Sequence, residues 1–129
     1  MSCRGKQVLL VEDNELNLEI AVELLKYAGL NITTAKNGLE GLDKFKAAPP
    51  GTYALILMDI QMPVMNGLEA AKAIRALPVK DAQTVPIVAM TANAFPEDIA
   101  ATLQAGMNEH LSKPIDLEQF HSILQKWCQ

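Results

Sequence analysis

Short apolar runs alternate with helical segments along the whole chain, and this alternation limits the fold more than any other feature. Five runs are predicted to be buried strands: Gln7–Glu12, Asn31–Ala35, Tyr53–Met58, Pro86–Met90 and Glu109–Ser112. A segment with helical spacing of apolar residues follows each of them. Unbroken apolar strands that alternate with helices are typical of a parallel sheet covered on both faces, with right-handed crossovers. The sequence therefore predicts a doubly wound α/β fold with five βα units.

The helices are predicted from apolar residues three or four positions apart and from the residues that end each segment. The first covers Asn14–Ala28 with Gly29 as its stop, and the third covers Gly67–Leu77. Pro96 opens the fourth, because proline suits the first turn of a helix, and Gly106 closes it. The apolar residues that share a face are Leu16, Ile20 and Leu24 in the first helix, Leu39, Leu42 and Phe45 in the second, and Leu117, Phe120, Leu124 and Trp127 in the last.

The size and charge of the chain exclude several classes of function. A chain of 129 residues, half of it hydrophobic, can bury the core of one domain. We expect a single domain over residues 1–129, with its core between residues 6 and 128. The net charge of −4 and the scattered basic residues argue against nucleic-acid binding, which usually needs a stripe of Lys and Arg.

The sequence also predicts where the chain works. It contains no apolar run near the roughly 20 residues that a membrane span needs, and its start, MSCRGKQ, has no signal-peptide core. The two cysteines, Cys3 and Cys128, are expected to be free thiols in a reducing cytosol. We therefore expect a cytoplasmic chain without direct membrane contact, although it could be one piece of a longer, membrane-bound parent.

Chemically versatile side chains follow four of the five predicted strands. In an open parallel sheet, ligands bind beyond the carboxyl ends of the strands. Glu12 and Asp13 follow the first strand, Asp59 the third, Thr91 the fourth and Lys113 the fifth. In the strand order 2-1-3-4-5 the first and third strands are neighbours, which would bring Asp13 and Asp59 together.

The three acidic residues at this edge predict a magnesium site. Carboxylates that converge in one crevice repel each other, so they need a cation. Oxygen ligands without histidine or cysteine favour Mg²⁺ over zinc or copper. Because Mg²⁺ keeps several waters and takes one or two carboxylates plus a phosphate, Asp13 and Asp59 are predicted as direct ligands and Glu12 as a ligand through water. The backbone carbonyl of Gln61 could complete the shell.

Asp59 is the best candidate for a nucleophile, because it ends the most apolar strand. A carboxylate can attack phosphorus and hold a covalent acyl phosphate. The added oxygens need compensating charge, which Mg²⁺ and the Lys113 ammonium would supply, while the Thr91 hydroxyl would donate a hydrogen bond. Taken singly, an Asp such as Asp59 is more often a helix cap, a Lys such as Lys113 a solvated surface charge, and a Thr such as Thr91 a loop residue. The functional prediction depends on their shared position at one edge of the sheet.

Four motifs resemble those of response-regulator receiver domains, the CheY-like family. They are VLLVEDN at Val8–Asn14, LILMDIQMPVMNG at Leu55–Gly67, MTANA at Met90–Ala94 and LSKPI at Leu111–Ile115. They occur in the family's order and span essentially the whole chain. The segments MTANAFPED and AGMNEHLSKPID most resemble the corresponding segments of receivers attached to bacterial hybrid sensor histidine kinases.

The resemblance implies a flavodoxin-like fold and a role in two-component or phosphorelay signalling. A phosphohistidine on a histidine kinase or histidine phosphotransfer protein would be the donor, Asp59 the acceptor and Mg²⁺ the cofactor. It implies a switch with slow self-catalysed dephosphorylation rather than an enzyme, and a cis peptide bond between Lys113 and Pro114.

The resemblance also implies how the switch operates. In the family, Thr91 moves toward the phosphoryl group while an aromatic ring at the position of His110 turns inward. This rearranges the face made by the helix after the fourth strand, the fifth strand and the last helix. A weak homodimer through that face is compatible with the sequence.

Two residues depart from the family pattern and two more are predicted to tune the switch. His110 stands where Tyr or Phe is usual, so its coupling to Thr91 is in question. Glu12 makes the acidic pair Glu-Asp rather than Asp-Asp, and its longer side chain still permits contact with the metal through water. Gln61 and Asn93 lie two residues beyond Asp59 and Thr91, where they are predicted to flank the attacking water and to influence the lifetime of the phosphoryl group.

Three other functions compete with this interpretation. A Mg²⁺-dependent hydrolase with an Asp nucleophile commonly has a second Asp two residues later, but Gln61 occupies that position. A nucleotide binder is disfavoured because Arg4-Gly5-Lys6 lacks the upstream glycine loop of a P-loop. A degenerate receiver that only binds partners is disfavoured because the acidic residues, Thr91 and Lys113 are all present.

Overall fold

The computed structural model describes residues 5–62, 64–91, 96–112 and 117–127. Five strands form one sheet in the order β2-β1-β3-β4-β5, and all neighbouring strands are parallel. The strands are β1 (Gln7–Val11), β2 (Asn31–Ala35), β3 (Tyr53–Asp59), β4 (Ile87–Thr91) and β5 (Glu109–Ser112). The predicted fold class and strand order are therefore confirmed.

The helices are α1 (Glu15–Tyr27), α2 (Gly38–Ala47), α3 (Gly67–Arg75), α4 (Lys80–Thr84), α5 (Pro96–Gln104) and α6 (Leu117–Trp127). The short helix α4 was not predicted, because five residues are too few to show a helical period. In the described ranges, no helix combines the length and apolar character that a membrane crossing requires. Cys3 and Cys128 lie outside the described residues, so their predicted state remains a prediction.

The core consists of two apolar layers, one on each face of the sheet. Alternate residues of β3 serve the two layers, because successive side chains of a strand point to opposite faces. Ile56 and Met58 pack with side chains of α2 and α3. Leu55 and Leu57 pack with side chains of α1 and α6. Both faces of the sheet are therefore covered, and in open parallel sheets ligands bind beyond the carboxyl ends of the strands.

Helix α1 presents much of its apolar face to solvent. The helix itself was predicted, and its sheet-facing positions are Ala21 and Leu25, which are buried. Leu16 is 66% exposed and Ile20 is 43% exposed, although both belong to the predicted apolar face. The core therefore covers only part of the apolar face of α1.

Asparagine begins each of the three helices that follow β1, β2 and β3. The side chain of Asn14 accepts from Asn17 N at 2.9 Å, and that of Asn37 accepts from Glu40 N at 2.8 Å. Asn66 forms a reciprocal capping box at the start of α3. Each cap stabilises its helix by about 1 kcal/mol and fixes where the loop at the carboxyl edge ends.

Arg75 joins three segments at the amino edge of the sheet. Its Nε donates to Gly106 O at 2.9 Å, its Nη1 to Ala82 O at 3.0 Å and its Nη2 to Asn108 Oδ1 at 2.8 Å. Asn108 Oδ1 also accepts from the backbone N–H of Ile87 at 2.9 Å. Burial lowers the pKa of Arg75 from its usual value, but a guanidinium remains charged in proteins. The end of α3 is thereby tied to α4 and to the turn before β5.

We predict that Arg75→Met destabilises the protein by about 2–4 kcal/mol, because three acceptors lose a charged donor and Met cannot replace it. Urea unfolding would measure the change. Lys72→Met on the exposed side of the same helix is the control and should change stability by less than about 0.5 kcal/mol. Equal effects of the two variants would show that the Arg75 contacts contribute little.

Glu109 ties β5 to the end of α6. Its Oε2 accepts from Trp127 Nε1 at 2.9 Å and from Lys126 Nζ at 3.1 Å. These contacts, led by the hydrogen bond from Trp127, hold the pKa of Glu109 below its ordinary value. The folded state therefore gains stability from an ionised Glu109 above its ordinary pKa, and this gain is lost as the pH falls through the lowered pKa.

The wild-type protein should lose stability as the pH falls below about 4.5, in part because Glu109 becomes protonated. We predict that Glu109→Gln, which cannot titrate, loses less stability over the same pH range. The fluorescence of Trp127, the single tryptophan of the chain, would follow urea unfolding at each pH. Glu118→Gln, at an exposed position on α6, should retain the wild-type pH profile. Superimposable profiles for wild type and Glu109→Gln would contradict this assignment.

Candidate functional site

The strand register brings Glu12 and Asp59 side by side at the carboxyl edge. Val11 of β1 pairs with Met58 of β3, so the next residue of each strand occupies neighbouring positions. Both carboxylates are buried, with only 2% of Glu12 and 3% of Asp59 exposed. Asp13, one residue further along, is exposed at the same edge. Two buried carboxylates and one exposed carboxylate therefore lie together where the central strands end.

These three side chains form a compact group of oxygens. One carboxylate oxygen from each of Glu12, Asp13 and Asp59 lies within 4.8 Å of the others. Negative charges at this separation repel each other unless a cation lies between them. Carboxylate oxygens without nitrogen or sulfur ligands suit Mg²⁺. The donor set therefore fits the predicted metal, although the ligand assignment remains a prediction.

Local hydrogen bonds hold the two buried carboxylates. The backbone N–H of Asn14 donates to Glu12 Oε2 at 3.1 Å, and that of Gln61 donates to Asp59 Oδ1 at 3.3 Å. Both donors lie two residues beyond their acceptors, in the turns that leave β1 and β3. The turn after β3 therefore places Gln61 directly beside Asp59, where its backbone carbonyl was predicted to bind the metal.

Two glycines fix the loop that joins β3 to α3. Gly67 donates to Ile60 O at 2.9 Å, and a Cβ at this position would lie 2.2 Å from Asp59 O. Gly38, at the start of α2, donates to Met65 O at 2.9 Å, and its Cβ would lie 2.4 Å from that same oxygen. Neither approach is open to a residue with a side chain. The Gly67 contact thus joins the two ends of the loop beside Asp59, and the Gly38 contact holds the loop just before α3 begins.

The same loop contains a strained residue. Val64 adopts a φ of 68°, a left-handed conformation that a β-branched side chain rarely takes. It is 77% exposed, so burial of its side chain does not explain the conformation. Strain of this kind often accompanies functional loops, and here it occurs five residues after Asp59.

Thr91 and His110 lie on the same face of the sheet on neighbouring strands. Ala89 pairs with His110, and Thr91 pairs with Ser112, so Thr91 and His110 are diagonal neighbours. Both are partly exposed. This arrangement is compatible with the predicted coupling between Thr91 and His110.

Some predicted site residues lie outside the described residues. They are Asn93, Lys113 and Pro114. The predicted roles of Lys113 and Asn93, and the predicted cis peptide bond before Pro114, therefore remain predictions. Ser112, the last residue of β5, pairs with Thr91.

Comparison with known proteins identifies the family. The family model described as the response regulator receiver domain matches residues 8–125. The chain belongs to this family. This receiver domain is similar to part of the peroxide stress-activated histidine kinase Mak1 of Schizosaccharomyces pombe, with 38% identity over 121 residues. The match covers 93% of the chain but only 7% of Mak1, so this chain corresponds to a small part of the longer protein.

Two solved receiver domains are similar to this chain in both structure and sequence. The receiver domain of the sensor histidine kinase PA1611 from Pseudomonas aeruginosa, which has magnesium in its active-site cleft, matches with a TM-score of 0.86 and 37% identity. That match covers 96% of this chain and 98% of the other. The receiver domain of Ssk1 from Saccharomyces cerevisiae, solved with the histidine phosphotransfer protein Ypd1, matches with a TM-score of 0.84 and 33% identity. It covers 97% and 90% of the two chains.

Sequence reasoning found the acidic residues but missed Gly38, which holds the loop beside them, and residues that tie other parts of the fold together. Gly38 was not singled out, because a glycine at the start of a helix gives no indication of the chain that passes over it. Arg75 and Asn108 were missed for the same reason, since their partners are backbone groups distant in sequence. Asp98, on the first turn of α5, was not identified as a site residue, because an acid in the first turn of a helix is already favoured by the helix dipole.

Proposed function

We propose that this receiver domain accepts a phosphoryl group on Asp59 from a phosphohistidine, with Mg²⁺ bound by the acidic group. The observation that supports the proposal most strongly is the meeting of three carboxylates at the end of the central strands of a receiver fold. A buried carboxylate flanked by two others has few structural uses. A cation bound by all three makes it a suitable acceptor for a phosphoryl group.

In the proposed reaction, one carboxylate oxygen of Asp59 attacks the phosphorus of the donor. A P–O bond to Asp59 forms while the P–N bond to the donor imidazole breaks. The donor nitrogen keeps the electron pair of that bond, and a proton from solvent gives a neutral imidazole as the leaving group. Bound Mg²⁺ would offset the charge of the transferred oxygens. Asp13 and Asp59 would bind it directly, Glu12 through water and Gln61 through its backbone carbonyl.

The residues around Asp59 would stabilise the product. The Thr91 hydroxyl would donate a hydrogen bond to one phosphoryl oxygen, and the Lys113 ammonium would pair with another. The position of Thr91, one residue beyond the strand partner of Asp59, supports the first of these roles. Gln61 and Asn93 would flank the attacking water and set how long the phosphoryl group survives.

The signal would then reach the face formed by α5, β5 and α6. Movement of Thr91 toward the phosphoryl group would vacate space beside its diagonal neighbour, His110. The imidazole would turn into that space and change the surface that a partner meets. The contact between α5 and β5 supports this route.

The donor protein would dock on the rim of the site. A phosphohistidine can reach Asp59 only if its protein covers the carboxyl edge of the sheet. Leu16 and Ile20 on α1 and Val64 after β3 are large apolar residues, and all three are exposed on segments that leave this edge. An apolar rim around a charged centre suits a helical phosphotransfer partner.

Incubation with acetyl phosphate and Mg²⁺, followed by intact mass measurement, tests the proposal. We expect a single phosphoryl adduct on the wild-type chain, its loss when Mg²⁺ is chelated, and no adduct on Asp59→Asn. Asp43→Asn, at an exposed position on α2, is the matched control and should form the adduct normally. Steady release of phosphate without an adduct would favour a hydrolase, and no adduct under any condition would refute the phosphoacceptor role.

A further inference from the structure

A small cavity lies between the loop after β3 and helix α5. Its volume is about 50 Å³, enough for one or two waters. It is lined by Ile60, Gln61, Leu68, Thr91, Asp98 and Ala101. Among these residues Asp98 is the only one with a charged side chain.

The cavity adjoins the acidic site. Ile60 and Gln61 directly follow Asp59, and Gln61 donates a hydrogen bond to its carboxylate. Thr91 follows Met90, the strand partner of Asp59. Asp98 therefore shares a cavity with Gln61 and Thr91, two of the residues predicted to surround the phosphoryl group, although it belongs to a different element, α5.

We propose that Asp98 is a positioning residue whose negative charge favours a cation at the acidic site and opposes the arrival of an anionic phosphoryl group. This inference rests on the proposed function of Asp59. A charge near a binding site stabilises an opposite charge there and destabilises a like charge, through the same Coulomb interaction. Asp98 thus helps to hold the unphosphorylated, metal-bound state.

The same repulsion links the site to the switch face. Phosphorylation converts the carboxylate of Asp59, with one negative charge, into an acyl phosphate with up to two, a net gain of about one negative charge. Asp98 lies in the first turn of α5, so repulsion acts on the end of that helix and favours its displacement. Because α5 packs on β5, the displacement is transmitted to the strand that contains His110.

Glu97 provides a matched control for this charge. It lies beside Asp98 in the first turn of α5, where both acids interact favourably with the helix dipole. Glu97 is exposed and does not line the cavity. Glu97→Gln therefore removes the same charge and the same helix-dipole interaction, without removing a charge from beside the site.

Two measurements with opposite expected signs test the proposal. For Asp98→Asn we expect Mg²⁺ affinity, measured by titration calorimetry, to fall about two- to five-fold, as for one partly screened charge. We expect adduct formation with acetyl phosphate at saturating Mg²⁺, measured by intact mass, to become faster by a similar factor. Both effects should shrink between 0.1 M and 1 M salt, as the Debye length falls from about 10 Å to about 3 Å.

The controls separate a charge effect from a structural one. Asp98→Ser should shift both quantities in the same directions as Asp98→Asn, and Glu97→Gln should shift neither by more than a small fraction of those effects. Weaker Mg²⁺ binding together with slower adduct formation would indicate damage to the site and would overturn the proposal, as would wild-type values in both Asp98 variants. A wild-type chain that forms no adduct would instead refute the role of Asp59.

Discussion

Replacement of Gly67 by alanine is expected to destabilise the protein by about 3 kcal/mol and to disable the acidic site. The added Cβ would lie 2.2 Å from Asp59 O and 2.9 Å from Ile60 Cα. Both atoms belong to the backbone, so no side chain can rotate away to relieve the contact. The start of α3 must therefore separate from the end of β3, and overpacking of this kind costs 1–3 kcal/mol or more.

Urea unfolding and phosphorylation by acetyl phosphate would both measure the effect of Gly67→Ala. The control is Gly51→Ala, in the turn before β3, at the opposite end of the strand. Gly51 has a φ of 83° and open space around it, so alanine there costs about 1 kcal/mol through the backbone alone. We expect Gly51→Ala to form the phosphoryl adduct normally. A Gly67→Ala variant as stable as Gly51→Ala would show that the loop yields easily.

The acidic residues of the site could be predicted from the sequence, whereas the glycines that hold the loop beside them could not. Asp59 could be predicted because a strand of seven residues, buried on both faces, ends at it, and the direction of the chain alone puts it at the carboxyl edge. The meeting of Asp13 with Asp59 was predicted for the strand order 2-1-3-4-5, which the structure confirms. The register then places Glu12, rather than Asp13, directly beside Asp59. Local pattern and topology thus predicted the acidic group.

Contacts between segments distant in sequence were not predictable. Gly38 is required because Met65 O passes over it, and nothing near Gly38 in the sequence indicates that approach. Arg75 resembles any basic residue at the end of a helix, yet its guanidinium reaches carbonyls seven and thirty-one residues away. Such contacts depend on how the loops cross, which periodicity does not encode.

The exposure of α1 shows a second limit of sequence patterns. Leu16 and Ile20 were grouped by their helical spacing, and a face defined in that way is usually buried. In the structure the sheet-facing positions are instead the neighbouring Ala21 and Leu25. When the apolar face of a helix is wider than the core can cover, spacing alone predicts that the whole face is buried. Only the packing of the helix reveals that part of it is a surface.

Asp13→Asn is expected to change stability in opposite directions with and without metal. Without a cation, the three carboxylates lie within 4.8 Å of one another and repel. Because Asp13 is exposed and water screens its charge, removing it should stabilise the metal-free protein by only about 1 kcal/mol. With Mg²⁺ at 100 times its dissociation constant, the wild type gains about 2.7 kcal/mol from binding.

The loss of a direct ligand reverses this order when metal is present. If Asp13→Asn weakens Mg²⁺ binding by about a hundredfold, the same Mg²⁺ concentration stabilises the variant by only about 0.4 kcal/mol. The variant should then be more stable than wild type in a chelator and less stable in saturating Mg²⁺, by about 1 kcal/mol in each case. Thermal or urea unfolding under the two conditions would measure both differences.

Glu19→Gln, which removes an exposed carboxylate from α1, is the control for charge alone, and its stability should stay within about 0.5 kcal/mol of wild type in both conditions. An Asp13→Asn protein that keeps the full stabilisation by Mg²⁺ would exclude Asp13 as a ligand. A variant destabilised without metal would show that Asp13 makes favourable contacts that outweigh its repulsion. The predicted crossover requires both the repulsion and the ligand role, so the acidic group would be held in a costly arrangement that Mg²⁺ relieves.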